Sequence, residues 1–137
     1  MLPKKTRILI VDDMNMFRQM VRQALNTLEY EDLTEASDGT VALKCLEEAI
    51  QAAKPFGFII CDWNMPKMKG IELLRTIRAT TWGKTVPFLM LTAEGEKKNV
   101  IEALQEGVDG YIIKPFTVNM LAGNIKQIYE KKMAKVS

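Results

Sequence analysis

The chain alternates short, nearly continuous apolar runs with longer stretches in which apolar residues recur every three or four positions. Ile8-Leu9-Ile10-Val11, Phe58-Ile59-Ile60-Cys61, Val86-Pro87-Phe88-Leu89-Met90-Leu91 and Tyr111-Ile112-Ile113 read as buried strands. Asp32-Leu33-Thr34-Glu35-Ala36 is more polar and suits a sheet edge. Pro87 stands near the start of its run, where a missing N–H is tolerated. Between the runs the period lengthens. Phe17, Met20, Val21, Ala24 and Leu28 predict a first helix, and Leu43, Leu46 and Ile50 a second. Ile71, Leu74 and Ile77 predict a third, Val100, Ala103 and Leu104 a fourth, and Leu121, Ile125 and Ile128 a fifth. Gly107 is placed to end the fourth and Thr117 to cap the fifth. Residues 52–57, with Pro55 and Gly57, read as a loop.

Five strand–helix units with buried strands predict an α/β fold, a parallel sheet covered by helices on both faces and joined by right-handed crossovers. In such sheets ligands bind beyond the carboxyl ends of the strands, near a switch in strand order. That rule makes the strand ends the informative positions. Strand one ends in Asp12-Asp13, strand three in Asp62, strand four in Thr92 and strand five in Lys114-Pro115. Parallel strands bring all of these to one edge.

Two carboxylates about 4 Å apart repel by about 4 kcal/mol at an effective dielectric of 20. Lys114 supplies one positive charge against three negative ones, and a divalent ion balances the rest. Carboxylate oxygens without His or Cys ligands favour Mg²⁺ (or Mn²⁺) over zinc. A carboxylate beside Mg²⁺, a lysine and a threonine is a candidate nucleophile for phosphoryl transfer, its product an aspartyl phosphate.

Composition narrows the choice. The 137 residues match one domain, 1–137, and are enough to bury a core without staples. Histidine is absent, which excludes Ser-His-Asp hydrolysis, His-ligated zinc and a His phosphate carrier within this chain. Cys45 and Cys61 lie among apolar residues and read as buried thiols of a reducing cytoplasm. A net charge of +2 predicts no nucleic-acid partner. No apolar run approaches the roughly 18 residues of a membrane span, and the N-terminus lacks a signal-peptide pattern. The nine methionines read as core filler.

Val11-Asp12-Asp13, Cys61-Asp62-Trp63-Asn64-Met65-Pro66, Thr92-Ala93 and Lys114-Pro115-Phe116 together resemble the signatures of response-regulator receiver domains, over essentially the whole chain. Within that family the chain is most similar to the single-domain chemotaxis regulators. The resemblance implies a flavodoxin-like strand order, 2-1-3-4-5. It implies that Asp62 is the phosphoacceptor and that Asp13 and Asp62 bind Mg²⁺ through their side chains. Asn64 would add its backbone carbonyl, and Asp12 would act through a metal-bound water. Thr92 and Lys114 would contact the phosphoryl group, Thr92 and Tyr111 would form the switch, and Asn64 and Glu94 would tune hydrolysis. Lys114-Pro115 would be cis. The segment between Gly39 and Asp62 is longer than the family pattern, which lengthens the second helix or its exit loop.

The resemblance further implies a monomeric cytoplasmic signalling protein rather than a turnover enzyme. Its partners would be a histidine kinase, a flagellar-motor switch protein and a phosphatase. The chain ends about one helix beyond Phe116, which leaves no room for an output domain. Output would then pass through a surface of helix four, strand five and helix five, comprising Lys97, Val100, Leu104, Val108, Tyr111 and Lys126 and suited to a short amphipathic or acidic segment. Thr92, drawn toward the phosphoryl group, would vacate space into which Tyr111 rotates. A phosphorelay intermediate is the alternative within the family. A haloacid-dehalogenase-type phosphatase would need Asp-x-Asp after strand one, where this chain has Asp12-Asp13-Met14-Asn15. A flavodoxin-like FMN carrier would need a Ser/Thr/Gly-rich loop there, and two aspartates would repel its phosphate.

Overall fold

The computed structural model describes residues 1–136. Ten elements alternate along the chain: β1 (Ile8–Val11), α1 (Asn15–Thr27), β2 (Leu33–Ala36), α2 (Gly39–Gln51), β3 (Phe58–Cys61), α3 (Gly70–Arg78), β4 (Phe88–Thr92), α4 (Lys97–Gln105), β5 (Gly110–Ile113) and α5 (Val118–Val136). All strand pairs are parallel, in the order β2-β1-β3-β4-β5.

The alternation of side chains along each strand builds two separate cores. Ile8, Ile10, Phe58, Ile60, Leu89 and Leu91 point to one face, where Val21 and Leu25 of α1 and Leu121, Ile125 and Ile128 of α5 cover them. Leu9, Val11, Ile59, Cys61, Phe88 and Met90 point to the other, under Leu46 of α2, Leu73, Leu74 and Ile77 of α3, and Ala103 of α4. Strands β1, β3 and β4 are buried throughout, which explains their unbroken apolar runs.

The helix punctuation follows the sequence. Gly107 ends α4 with φ +92°, and Thr117 Oγ1 accepts the Met120 N–H at 3.1 Å to cap α5. Asp38, itself buried, caps α2 by accepting the Val41 N–H at 3.0 Å. Pro87 lies just outside β4, so no ladder bond is lost. The Lys114-Pro115 bond is cis. Among the described residues, no helix is long and apolar enough to cross a membrane.

Four expectations are corrected. The methionines are not mainly core filler: Met1, Met14, Met16, Met20, Met120 and Met133 are exposed, and Met65 and Met90 are buried. β5 is not a buried strand but the second sheet edge: Ile112 is buried, whereas Ile113 is 47% exposed. Leu104, counted toward the core stripe of α4, points to solvent and is 58% exposed. Cys61 is fully buried, but Cys45 is only half-buried on α2; both are free thiols whose pKa burial pushes up.

Candidate functional site

The order β2-β1-β3 places the switch in chain direction between β1 and β3. The parallel ladder runs one residue past each of these strands: Asp12 N donates to Ala36 O at 3.1 Å and Asp62 N to Val11 O at 2.9 Å. The carboxylates therefore continue the strand alternation. Asp12 follows Ile10 and Asp62 follows Ile60, so both sit at the end of the face covered by α1 and α5.

Ligand oxygens of Asp12, Asp13 and Asp62 lie within 4.8 Å of one another. Asp12 and Asp62 are buried and Asp13 is exposed, so the cluster opens to solvent on one side. Lys114 crosses from the end of β5 and donates to Asp12 Oδ2 at 3.0 Å and to Asp62 Oδ2 at 3.2 Å. Its Nζ also stands 3.6 Å from the centroid of the Phe17 ring, whose π face favours the cation. The Trp63 N–H binds Asp62 Oδ1 at 2.7 Å, so both oxygens of Asp62 are oriented. The Met14 N–H does the same for Asp12 Oδ1 at 2.9 Å. Burial pushes the Asp12 carboxyl upward, against the Met14 N–H and the Lys114 ammonium, and the Asp62 charge adds to the rise.

Three carboxylates thus face one ammonium, and the excess matches the charge of a divalent cation. The donors are hard oxygens, one carboxylate is reachable from solvent, and neither His nor a free thiolate competes. The residues present fit Mg²⁺.

Close packing fixes the floor of the site. A Cβ on Gly70, the first residue of α3, would collide with the Asp62 carbonyl oxygen, so only glycine lets α3 approach the end of β3 this closely. Thr92, completely buried at the end of β4, accepts the Glu94 N–H at 3.1 Å. Tyr111 of β5 donates its hydroxyl to the Glu94 carbonyl at 2.6 Å. Burial, with the Glu94 and Asp62 charges adding, raises its pKa to about 12, so the phenol stays a donor. In this conformation Tyr111 is half-buried and already tied to the loop after β4.

The site thus gathers Asp12, Asp13, Asp62, Thr92 and Lys114 at one edge, with Asn64 and Glu94 on its rim. Two members of the expected partner surface do not belong to it. Val108 is 7% exposed and packs in the core beneath α4, because the turn at Gly107 folds it inward. Lys126 lies on the far side of α5, where it lines a groove with Met1, Leu2, Lys4 and Tyr30. The α5 residues beside β5 are Asn124 and Ile128, which stand next to Gly110. Lys97, Val100 and Leu104 do form one stripe of α4, and Ile113 adds an exposed apolar side chain from β5.

The sequence reading missed two groups. Arg18 donates to the Asp12 carbonyl at 2.6 Å and to Glu35 Oε1 at 3.0 Å, while Arg22 binds Glu35 Oε2 at 2.8 Å. This network ties α1 and β2 to the loop that carries the aspartates. Its signal was two arginines one turn apart on α1 facing an acidic residue inside a strand. The second group is Asn99, which donates to Glu94 Oε1 at 2.8 Å.

Comparison with known proteins agrees with this geometry. Residues 8–126 match the family model of the response regulator receiver domain, and the chain belongs to that family. It is similar to the chemotaxis protein CheY of Pseudomonas aeruginosa, at 44% identity over 125 residues that cover 91% of this chain and 97% of that protein. Among solved structures it is similar to chemotaxis protein CheY4 of Vibrio cholerae, with a TM-score of 0.78 at 35% identity, covering 90% of this chain and 98% of that one. A CheY-like receiver domain protein of Methanospirillum hungatei superposes with a TM-score of 0.83 at 27% identity, covering 96% and 98%. CheY itself has the strand order 2-1-3-4-5.

Proposed function

We propose that this chain is a CheY-like response regulator that a histidine kinase phosphorylates on Asp62, with Mg²⁺ as cofactor. One observation carries the reading: the Lys114 ammonium bridges Asp12 and Asp62 at the switch point between β1 and β3, beside a third carboxylate. An oxygen of Asp62 attacks the phosphorus of a phosphohistidine or of acetyl phosphate. The new bond joins that oxygen to phosphorus, and the bond to the imidazole or acetate breaks with its electron pair. Mg²⁺ held by Asp13 and Asp62, with the Asn64 carbonyl and an Asp12-bound water, would neutralise charge on the phosphoryl oxygens. Lys114 and Thr92 supply further stabilisation from the protein itself. The chain is a signalling protein whose chemistry is its own phosphoryl transfer and hydrolysis, acting as a monomer in the cytoplasm.

Output runs through the β4–α4 loop. The Thr92 hydroxyl can donate to a phosphoryl oxygen while still accepting the Glu94 N–H. A shift of Thr92 toward phosphorus therefore pulls Glu94, and with it the Tyr111 hydroxyl and the start of α4. The surface that senses this is Lys97, Val100 and Leu104 of α4 with Tyr111 and Ile113 of β5. Its mixture of basic and apolar groups suits a short acidic amphipathic segment, and the similarity to chemotaxis regulators favours a flagellar-motor switch protein, with a phosphatase resetting the signal. A coupling of about 1–3 kcal/mol gives about 5- to 150-fold tighter binding of the phosphorylated form. Capture of partners with and without beryllofluoride and Mg²⁺ tests this. A motor component retained only with beryllofluoride supports it, and equal retention in both states contradicts it.

A further inference from the structure

Glu94 is the point at which four elements meet. Its N–H binds Thr92 Oγ1 at the end of β4, and its carbonyl accepts the Tyr111 hydroxyl of β5. One carboxylate oxygen accepts the Asn99 side-chain amide of α4 at 2.8 Å, and the other faces the Asn64 amide, from the loop after β3, at 3.4 Å. Asn64 lies two residues beyond Asp62 and Glu94 two beyond Thr92, so the Asn64–Glu94 link spans the ends of β3 and β4 beside the phosphoacceptor. The shorter bond is the one from Asn99. It anchors the carboxylate to the first turn of α4, whose own backbone is fixed by Asn99 N donating to Glu96 O at 3.0 Å.

We infer that Asn99 is a positioning residue for phosphoryl turnover at Asp62: its amide holds the Glu94 carboxylate across one side of the site. This rests on the proposed phosphorylation of Asp62 and adds a residue to it. The held carboxylate restricts approach from that side and keeps a negative charge between solvent and the phosphoryl oxygens. Both an incoming phosphodonor and the hydrolytic water meet it. In hydrolysis, the water oxygen forms a bond to phosphorus, and the bond from Asp62 to phosphorus breaks with its electron pair returning to the carboxylate. The water proton passes to the departing phosphate or to solvent. Releasing Glu94 opens the path for both reactions. The Asn99–Glu94 bond also links the site to α4 directly, without Tyr111.

The test follows gain of phosphoryl mass from acetyl phosphate with Mg²⁺, then its loss after donor removal. The proteins are wild type, Asn99→Ala, Asn99→Gln, Glu94→Ala and the double variant Asn99→Ala/Glu94→Ala. Asn99→Ala should accelerate both gain and loss by about 3- to 10-fold, the scale of one charge-assisted hydrogen bond at a partly exposed position. Glu94→Ala should behave alike, and the double variant should be no faster than Glu94→Ala alone. Asn99→Gln keeps the amide donor and should stay near wild type. A second arm uses unphosphorylated protein, in which the Asn99 side-chain amide resonances should shift on Glu94→Ala. Unchanged rates in Asn99→Ala, or additive effects in the double variant, would overturn the inference, as would Asn99 resonances indifferent to Glu94→Ala. If wild type takes no phosphoryl group, the reading of Asp62 fails, and the amide arm still decides whether the anchor exists.

Discussion

Lys114 Nζ and Asp62 Oδ2 stand 3.2 Å apart although 52 positions separate them in the chain. The same ammonium holds Asp12 at 3.0 Å, so one cation is shared by two buried carboxylates. Removing it leaves two buried negative charges without a counterion. Lys114→Met should therefore destabilise the metal-free protein by about 1–3 kcal/mol, the cost of leaving buried partners unpaired. Mg²⁺ should restore part of that loss. Urea unfolding with Mg²⁺ and with a chelator measures both; equal stability of the variant and wild type in chelator would show that Lys114 is not the counterion.

Asp12 titrates in the opposite sense to a paired surface carboxylate. Burial raises its pKa in the folded state above the ordinary 3.8. Its charge therefore costs stability at neutral pH, and the cost vanishes once the pH falls below the unfolded value. Asp12→Asn should raise the melting temperature of the metal-free protein at pH 7, and this advantage should disappear as the pH is lowered below 3.8. Mg²⁺ reverses the ranking. At about 100 times its dissociation constant it adds about 2.7 kcal/mol to wild type. Asp12→Asn and Asp13→Ala should gain much less. A calorimetric series over pH and Mg²⁺ checks all of this.

Glu35 gives the contrasting sign. Burial alone would raise its pKa, but hydrogen bonds from Arg22, Arg18 and Gln19 outweigh it and hold the carboxyl below the ordinary 4.5. A depressed pKa contributes stability that is present above the unfolded value and lost as the pH falls through the folded one. Glu35→Gln should thus be less stable than wild type at neutral pH, and the gap should close progressively below pH 4.5. Because Arg18 also holds the Asp12 carbonyl, the variant should weaken Mg²⁺ binding as well, read from the fluorescence of Trp63 beside Asp62. A gap that is constant with pH would show that the arginines do not act through the Glu35 charge.

The sheet and its helices were legible because β1, β3 and β4 are buried on both faces, which leaves no room for polar residues in their runs. The five candidate site residues at the strand ends were legible for a related reason: parallel strands must end together. What escaped was set by rotation about an axis. Ile113 looks like Ile112 in a three-residue run, yet one faces the core and the other solvent at an edge that the apolar content did not reveal. The resemblance puts Val108 and Lys126 on the output surface by their place in the chain, whereas the turn at Gly107 and the rotation of α5 decide otherwise. The Arg18–Glu35 contact joins elements whose relative placement only the folded chain supplies, and the local Asn99–Glu94 bond depends on the path of the loop into α4. Tyr111 was read as a side chain free to rotate inward; its bond to the Glu94 carbonyl depends on the path of the loop after β4.

The most direct test of the central claim is the mass of the intact protein after incubation with acetyl phosphate and Mg²⁺, followed by peptide mapping. Wild type should gain a single phosphoryl group, located on Asp62, and should lose that gain when Mg²⁺ is chelated before the donor is added. Asp62→Asn should acquire no such mass. Equal labelling of Asp62→Asn, or wild-type labelling at another residue, would contradict the assignment of Asp62 as the phosphoacceptor.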